Sequence, residues 1–167
     1  VLDYVIGILV GLDSNGRKNR GGKAFELACE PIIKNICEKY NITLLIQKQF
    51  SYLINEYNLE IDENLANRKA DFILIKDNIF MNVEANFYFD SGSKPEEIID
   101  SYSNRNTELK NNNIKFIYLT DGIGCWGNTD KNQLAKGFRT IDYIINYHML
   151  KEKYFEDIII KEFNINN

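Results

Sequence analysis

Apolar positions in this chain recur with two periods, and each predicts a different kind of element. From Lys23 the side chains of Phe25, Ala28, Cys29, Ile32, Ile33, Ile36 and Cys37 return every three or four residues. That is one stripe of an amphipathic helix ending near Tyr40, with a kink expected at Pro31. Before it, Leu2 to Leu12 is apolar and β-branched and reads as extended or partly helical, closed by the turn signal Asp13-Ser14-Asn15-Gly16. Ile42 to Phe50 is rich in β-branched residues and predicts a strand. Asn55 to Asn67 is polar and irregular. Ala70 to Ile75 and Ile79 to Phe89 are two strand-like runs separated by Lys76-Asp77-Asn78, the signature of a tight hairpin. Ser93 is the expected N-cap of a helix with Pro95 at its start and Glu96 and Glu97 in its first turn, fading out in Lys110 to Asn113. Ile114 to Thr120 suits a buried strand, stopped by Asp121-Gly122-Ile123-Gly124. A last long helix is expected over roughly Asn132 to Lys153, burying Leu134, Phe138, Ile141, Ile144, Ile145 and Met149; the tail from Phe155 has no clear period. Helix, strand, strand, strand, helix, strand, helix predicts a mixed sheet with helices packed against it, an α/β or α+β domain.

With 167 residues, 44% of them hydrophobic, the chain can bury one good core, so residues 1–167 are expected to form a single domain. No internal repeat is visible. Apolar runs such as Ile42 to Ile46 fall far short of the roughly 20 residues of a membrane span, and no signal peptide precedes Asp3. A soluble, cytoplasmic protein with no membrane partner is the expectation. Val rather than Met at position 1 suggests a processed or excised segment, for which a lacking N-terminal region is the expectation. Cys29 and Cys37 stand eight residues apart on one helix, too far to bridge, and all three cysteines are expected reduced. A single histidine, His148, and no Cys-x-x-Cys pair exclude a structural zinc site. The net charge of −4 argues against a protein that coats nucleic acid, which needs many cations to neutralise phosphates, but leaves room for a nuclease with an acidic site. Arg17, Lys18, Arg20 and Lys23 crowd one glycine-containing stretch free of acids. It reads either as a solvated loop or as a surface for DNA.

The candidate chemistry lies on the hairpin. If the turn is Asp77-Asn78, Lys76 pairs with Ile79, and counting outward sets Asp71 opposite Glu84, with Cβ atoms about 4.5–5.5 Å apart. Two carboxylates so close repel each other unless a cation lies between them or one takes a proton. Asn86 shares their face, because side chains alternate along a strand. The other face carries Phe72, Leu74, Met81, Val83 and Ala85 and should be a core side, while Ile73, Ile75 and Phe80 cover the rest of the acidic face. Paired hard oxygen donors suit Mg²⁺, which takes one or two carboxylates plus waters and substrate phosphate. The plainer reading is a pair of edge carboxylates neutralised by Arg68 or Lys69.

Asp71 followed by Glu84-Ala85-Asn86 on the next strand, within an αβββαβ order, resembles the PD-(D/E)XK nuclease superfamily, with Asn86 where a lysine is usual. Gly11-Leu-Asp-Ser-Asn-Gly-Arg-Lys-Asn-Arg-Gly-Gly22, Glu84-Ala-Asn-Phe-Tyr88 followed by Gly92-Ser-Lys94, and Thr120-Asp-Gly122 followed by Gly124-Cys-Trp126 are more specific. In that order they resemble the catalytic part of the DpnII and MboI family of type II restriction endonucleases, from about Asp3 to Leu150. The resemblance implies a restriction-endonuclease-like α/β fold and Mg²⁺-dependent cleavage of double-stranded DNA at GATC. It implies Asp71 and Glu84 as Mg²⁺ ligands and Glu26 as an additional acid that holds a metal-bound water or orients the site; otherwise Glu26 is an ordinary exposed helix carboxylate. Asn86 has no charge and cannot act as a base near neutral pH. The metal alone would activate water, or a lysine would reach in, with Lys94 and Lys48 as candidates. Arg17, Lys18, Arg20 and Lys23 would contact DNA, arginine being suited to phosphates and to the guanine edge. Since GATC reads the same on both strands, a two-fold homodimer is the natural assembly. Trp126 would touch DNA or a partner, or else pack under its loop, and His148 would be a surface or lightly buried helix residue. Two other readings stay open, a repair or recombination nuclease of this fold that recognises DNA structure, and a DNA-binding module whose site has decayed at Asn86.

Overall fold

In the computed structural model the described residues are 14–88, 95–122, 126 and 133–165. Helix α1 spans Ser14–Lys39 and is followed by β1 Thr43–Gln49, two short helices α2 Ser51–Tyr57 and α3 Glu63–Ala66, then β2 Lys69–Lys76 and β3 Ile79–Phe87. Helix α4 Pro95–Asn111 leads to β4 Ile114–Asp121, and α5 Gln133–Thr140, β5 Ile144–Ile145, α6 Tyr147–Lys151 and α7 Lys153–Glu162 complete the described chain. The strands form one sheet in the order β1-β2-β3-β4-β5. The first three are antiparallel to one another, and β4 and β5 are added in parallel. This is the mixed α/β architecture expected, with the αβββαβ order of a restriction-endonuclease-like core.

Both faces of the sheet are covered, which turns its strands into near-continuous apolar runs. On one face Phe72, Leu74, Met81, Val83 and Ala85 pack with Phe25, Cys29, Ile33 and Cys37 of α1 and with Leu150, Phe155 and Ile159 of the C-terminal helices. On the other, Ile73, Ile75, Phe80, Phe116 and Tyr118 pack with Leu53 of α2, Leu65 of α3 and Ile99 and Leu109 of α4. Each such fully buried side chain contributes about 1.5–3 kcal/mol. The face carrying Asp71 and Glu84 is therefore a second core that becomes polar only towards one end.

Local chemistry explains how the elements stop. Asn41, Asn58, Asn113 and Asn164 follow α1, α2, α4 and α7, all with left-handed backbone. Asparagine visits that region more readily than other non-glycine residues, and it ends a helix much as glycine does. The hairpin turns on Asp77 and Asn78, with φ of 50° and 61°, the two positive values a type I′ turn requires.

Three expectations need correction. Helix α1 begins at Ser14, so the basic stretch from Arg17 to Lys23 is helical and not a loop. The stretch from Asn55 to Asn67 contains the end of α2 and all of α3. The single helix expected over Asn132 to Lys153 is instead α5, β5 and α6. Ile144 and Ile145, β-branched and therefore suited to an extended backbone, pair with Tyr118 and Leu119 at the sheet edge. Phe138, placed on the buried face by periodicity, is 54% exposed. The N-cap expected at Ser93 and the segment from Leu2 to Leu12 lie outside the described residues.

Candidate active site

The hairpin register sets the site. Phe72 pairs with Val83 and Lys76 with Ile79, so one step further Asp71 faces Glu84, as counting outward from the turn predicts. Where the ladder ends, the Ala85 N–H donates to Asp71 Oδ2 at 2.9 Å. Glu84 is buried, at 5% exposure, and accepts from Asn82 Nδ2 through Oε1 at 3.1 Å. Burial first, and then the charge of Asp71, push the Glu84 carboxyl well above the usual carboxylate range, to about 7; Arg105 and Asn82 oppose the rise.

Glu26 reaches the same place from α1. Gln47 Nε2 donates to Glu26 Oε2 and to Asp71 Oδ1, both at 2.9 Å, joining the two acids through one amide. The register of β1 on β2, Ile46 with Phe72 and Lys48 with Ala70, sets Gln47 opposite Asp71. Gln47 has a left-handed φ of 54°, which is costly for a non-glycine residue within a strand. Lys23, one helical turn earlier on α1, pairs with Glu26 at 3.0 Å. Burial, followed by the nearness of Asp71, raises the Glu26 pKa. Glu26 is thus no isolated surface carboxylate.

Helix α4 closes the other side. Arg105 Nη1 lies 2.9 Å from Glu84 Oε2, and its guanidinium sits over the ring of Tyr102. Tyr102 stacks on Tyr118 with centroids 4.1 Å apart, and its hydroxyl accepts from Asn86 Nδ2. The cation that neutralises Glu84 is therefore Arg105 and not Arg68 or Lys69; Arg68 pairs with Glu108 at 2.5 Å. Gln47, Arg105 and Tyr102 were missed by the sequence reading. Only the β1 register would have exposed Gln47, and nothing in the sequence ties Arg105 to Glu84.

The other sequence candidates divide. Lys94 lies outside the described residues. Lys48 is exposed and sits over the ring of Tyr52. Arg17, Lys18 and Arg20 belong to the first turns of α1, whose backbone is described there while these side chains are not. Trp126 is half-buried, its Nε1 donating to the Thr120 carbonyl at 2.9 Å and its ring set edge-on to Phe138. His148 is exposed on α6. Cys29 and Cys37 are buried free thiols.

As a donor set, Asp71 and Glu84 are two hard carboxylates on adjacent strands, one of them resisting ionisation beside the other, and a divalent cation relieves that conflict. Among the described residues no group of three or more acids, histidines or cysteines forms a ready metal cage. Two carboxylates are a donor set of the kind Mg²⁺ takes, which binds one or two carboxylates and keeps several waters. No helix among the described residues is long and apolar enough to cross a membrane.

No solved structure matches the chain. Its curated relatives include the type II restriction enzyme MjaIII of Methanocaldococcus jannaschii, 35% identical over 164 residues that cover 95% of this chain and 56% of that enzyme. The type II restriction enzyme DpnII of Streptococcus pneumoniae is 30% identical, over 95% of this chain and 56% of its own length. MboI of Moraxella bovis, also a type II restriction enzyme, is 30% identical over 90% of this chain and half of its own. The chain thus spans just over half the length of most of these relatives. A family model described as DpnII restriction endonuclease matches residues 1–157, and with this agreement the chain belongs to the DpnII family of type II restriction endonucleases.

Proposed function

We propose that this chain carries the catalytic part of a Mg²⁺-dependent type II restriction endonuclease that cuts double-stranded DNA at GATC, leaving a 5′-phosphate. The observation that carries the reading is the meeting of Glu26, Asp71 and Glu84, drawn from three elements, at the one polar end of an otherwise covered sheet. Asp71 and Glu84 would hold the cation, which when bound polarises the scissile phosphate and supplies an activated water. Glu26, tied to Asp71 through Gln47, orients the water side of the site. Asn86 is an amide that donates to Tyr102, so it positions and takes up no proton. Lys94, directly after Gly92-Ser93, is the lysine proposed to approach the site. Arg17, Arg20 and Lys23 fall at three-residue intervals leading to Glu26 along α1, a spacing that winds slowly around a helix. With Lys18 they supply the positive charge proposed to meet the DNA backbone near the acids. The target GATC and the homodimer come from the family resemblance and from the two-fold symmetry of that sequence.

The test is incubation of the protein with Mg²⁺ and a duplex holding one GATC, beside a scrambled duplex and an Asp71→Ala variant. Cleavage at GATC alone, lost in the variant, is the expected result. Folded protein that binds DNA and cuts no duplex would overturn the reading for this chain.

A further inference from the structure

Gln47 does more than fill space beside the acids. Its amide is the only donor between Glu26 and Asp71 that contacts both among the hydrogen bonds of the described residues, at 2.9 Å to each. To stand there it adopts a left-handed backbone, φ 54°, in the middle of β1. Such a conformation persists only where surrounding contacts over-determine it.

The lone pairs of Asp71 are consequently partitioned. Oδ1 accepts from Gln47 and Oδ2 from the Ala85 N–H, leaving each oxygen room for one further partner. A cation shared by Asp71 and Glu84 can use that room. A second cation bridging the facing oxygens of the two acids, Glu26 Oε2 and Asp71 Oδ1, would stand where the Gln47 amide stands and would have to expel it. An NH₂ group occupies that notch with two partial positive charges, satisfying both carboxylates without a metal.

We propose that Gln47 is the positioning residue that restricts this site to a single divalent cation, by filling the notch between Glu26 and Asp71. The inference rests on the metal reading of Asp71 and Glu84. It assigns Glu26 to orienting the site and not to metal ligation.

Mn²⁺ titration of the full chain, followed by the loss of free-ion paramagnetic resonance signal, counts bound cations without DNA or turnover. Sites that vanish in Asp71→Asn are the ones that count. The wild type should show one Asp71-dependent Mn²⁺. Gln47→Glu, which replaces the donor by a third carboxylate, should show two, and Gln47→Ala should gain a second, weaker site. Circular dichroism checks that each variant is folded, and Gln47→Gly, which relieves the left-handed backbone, provides a folded donor-free variant should the others fail. Two Asp71-dependent ions in the wild type, or one in every folded Gln47 variant, would overturn the role of Gln47 while leaving the metal site standing. No Asp71-dependent Mn²⁺ in any form would overturn the metal reading and this inference with it.

Discussion

Arg105→Met is the substitution whose effect can be worked furthest from the structure. It removes the guanidinium 2.9 Å from Glu84 and keeps an unbranched stem to lie over Tyr102. The Glu84 side chain is 7% exposed and that of Arg105 25%. Removing one partner of a fully buried ion pair costs about 3–5 kcal/mol, because the remaining charge is left without compensation. Water reaching the quarter-exposed guanidinium lowers this to about 2 kcal/mol. In a chain of this length that corresponds to a fall of about 4–8 °C in Tm. The loss must depend on pH. A carboxyl whose pKa is raised on folding binds its proton more tightly in the folded state. Its contribution is therefore most favourable below the unfolded value and is lost as pH rises through the folded one. For Glu84 without metal that window runs from the usual carboxylate range up to about 7, and without Arg105 it extends higher. Thermal unfolding in EDTA should thus show a small difference between Arg105→Met and wild type near pH 5.5 and the full difference near pH 9. Adding Glu84→Gln to Arg105→Met should recover most of it. A variant within about 1 °C of wild type at pH 9 would refute the claim that Arg105 compensates a buried charge.

Other expectations follow from single features of the fold. Asn78 turns the β2–β3 hairpin with φ 61°, so Asn78→Gly should stabilise by about 0.5 kcal/mol, read as a higher Tm; a lower Tm would count against the type I′ turn. Gly122 has φ +110°, and a Cβ there would lie 2.0 Å from the Tyr88 carbonyl oxygen. Gly122→Ala should therefore destabilise by more than about 3 kcal/mol, and an unchanged denaturant midpoint would contradict that close approach. Burial raises the thiol of Cys37 to about 12 and that of Cys29 higher still. Both should resist alkylation in the native state near pH 8 and react after unfolding, a difference that mass spectrometry of tryptic peptides resolves; rapid native labelling of either would refute their burial.

The hairpin was the most legible part of the chain because its evidence is local. Asp77 and Asn78 both tolerate a left-handed backbone, a two-residue turn fixes the register, and the register alone sets Asp71 against Glu84. The strands beside it were legible for a related reason, since a sheet covered on both faces writes itself as apolar runs. Two elements misled. The intervals between Leu134, Ile141, Ile144, Ile145 and Met149 satisfy a helical period, but the open edge of β4 offers backbone hydrogen bonds to a β-branched pair, and that tertiary gain outweighs the local pattern. In the Arg17 to Lys23 segment, Gly21 and Gly22 lower helix propensity, yet α1 extends back to Ser14 because the first turns continue a helix already anchored by Phe25 and Cys29.

The groups that tune the site were not legible, and the reason is topological. Arg105 is paired with Glu84 by the crossover that carries the chain from β3 through α4 to the parallel strand β4, a connection whose helix position depends on three-dimensional packing and not on spacing. Gln47 faces Asp71 only through the pairing of strands separated by α2 and α3. Sequence patterns therefore identified the acids, whose chemistry is explicit in their side chains, and missed the neutral amide and the distant cation that decide how those acids share charge. The properties that distinguish this site from any other pair of carboxylates on a hairpin, a Glu84 held against Arg105 and a Glu26 tied to Asp71 by one amide, reside in those missed contacts. Substitutions at Arg105 and Gln47 should accordingly change the response of the protein to pH and to divalent cations while leaving the acids themselves in place.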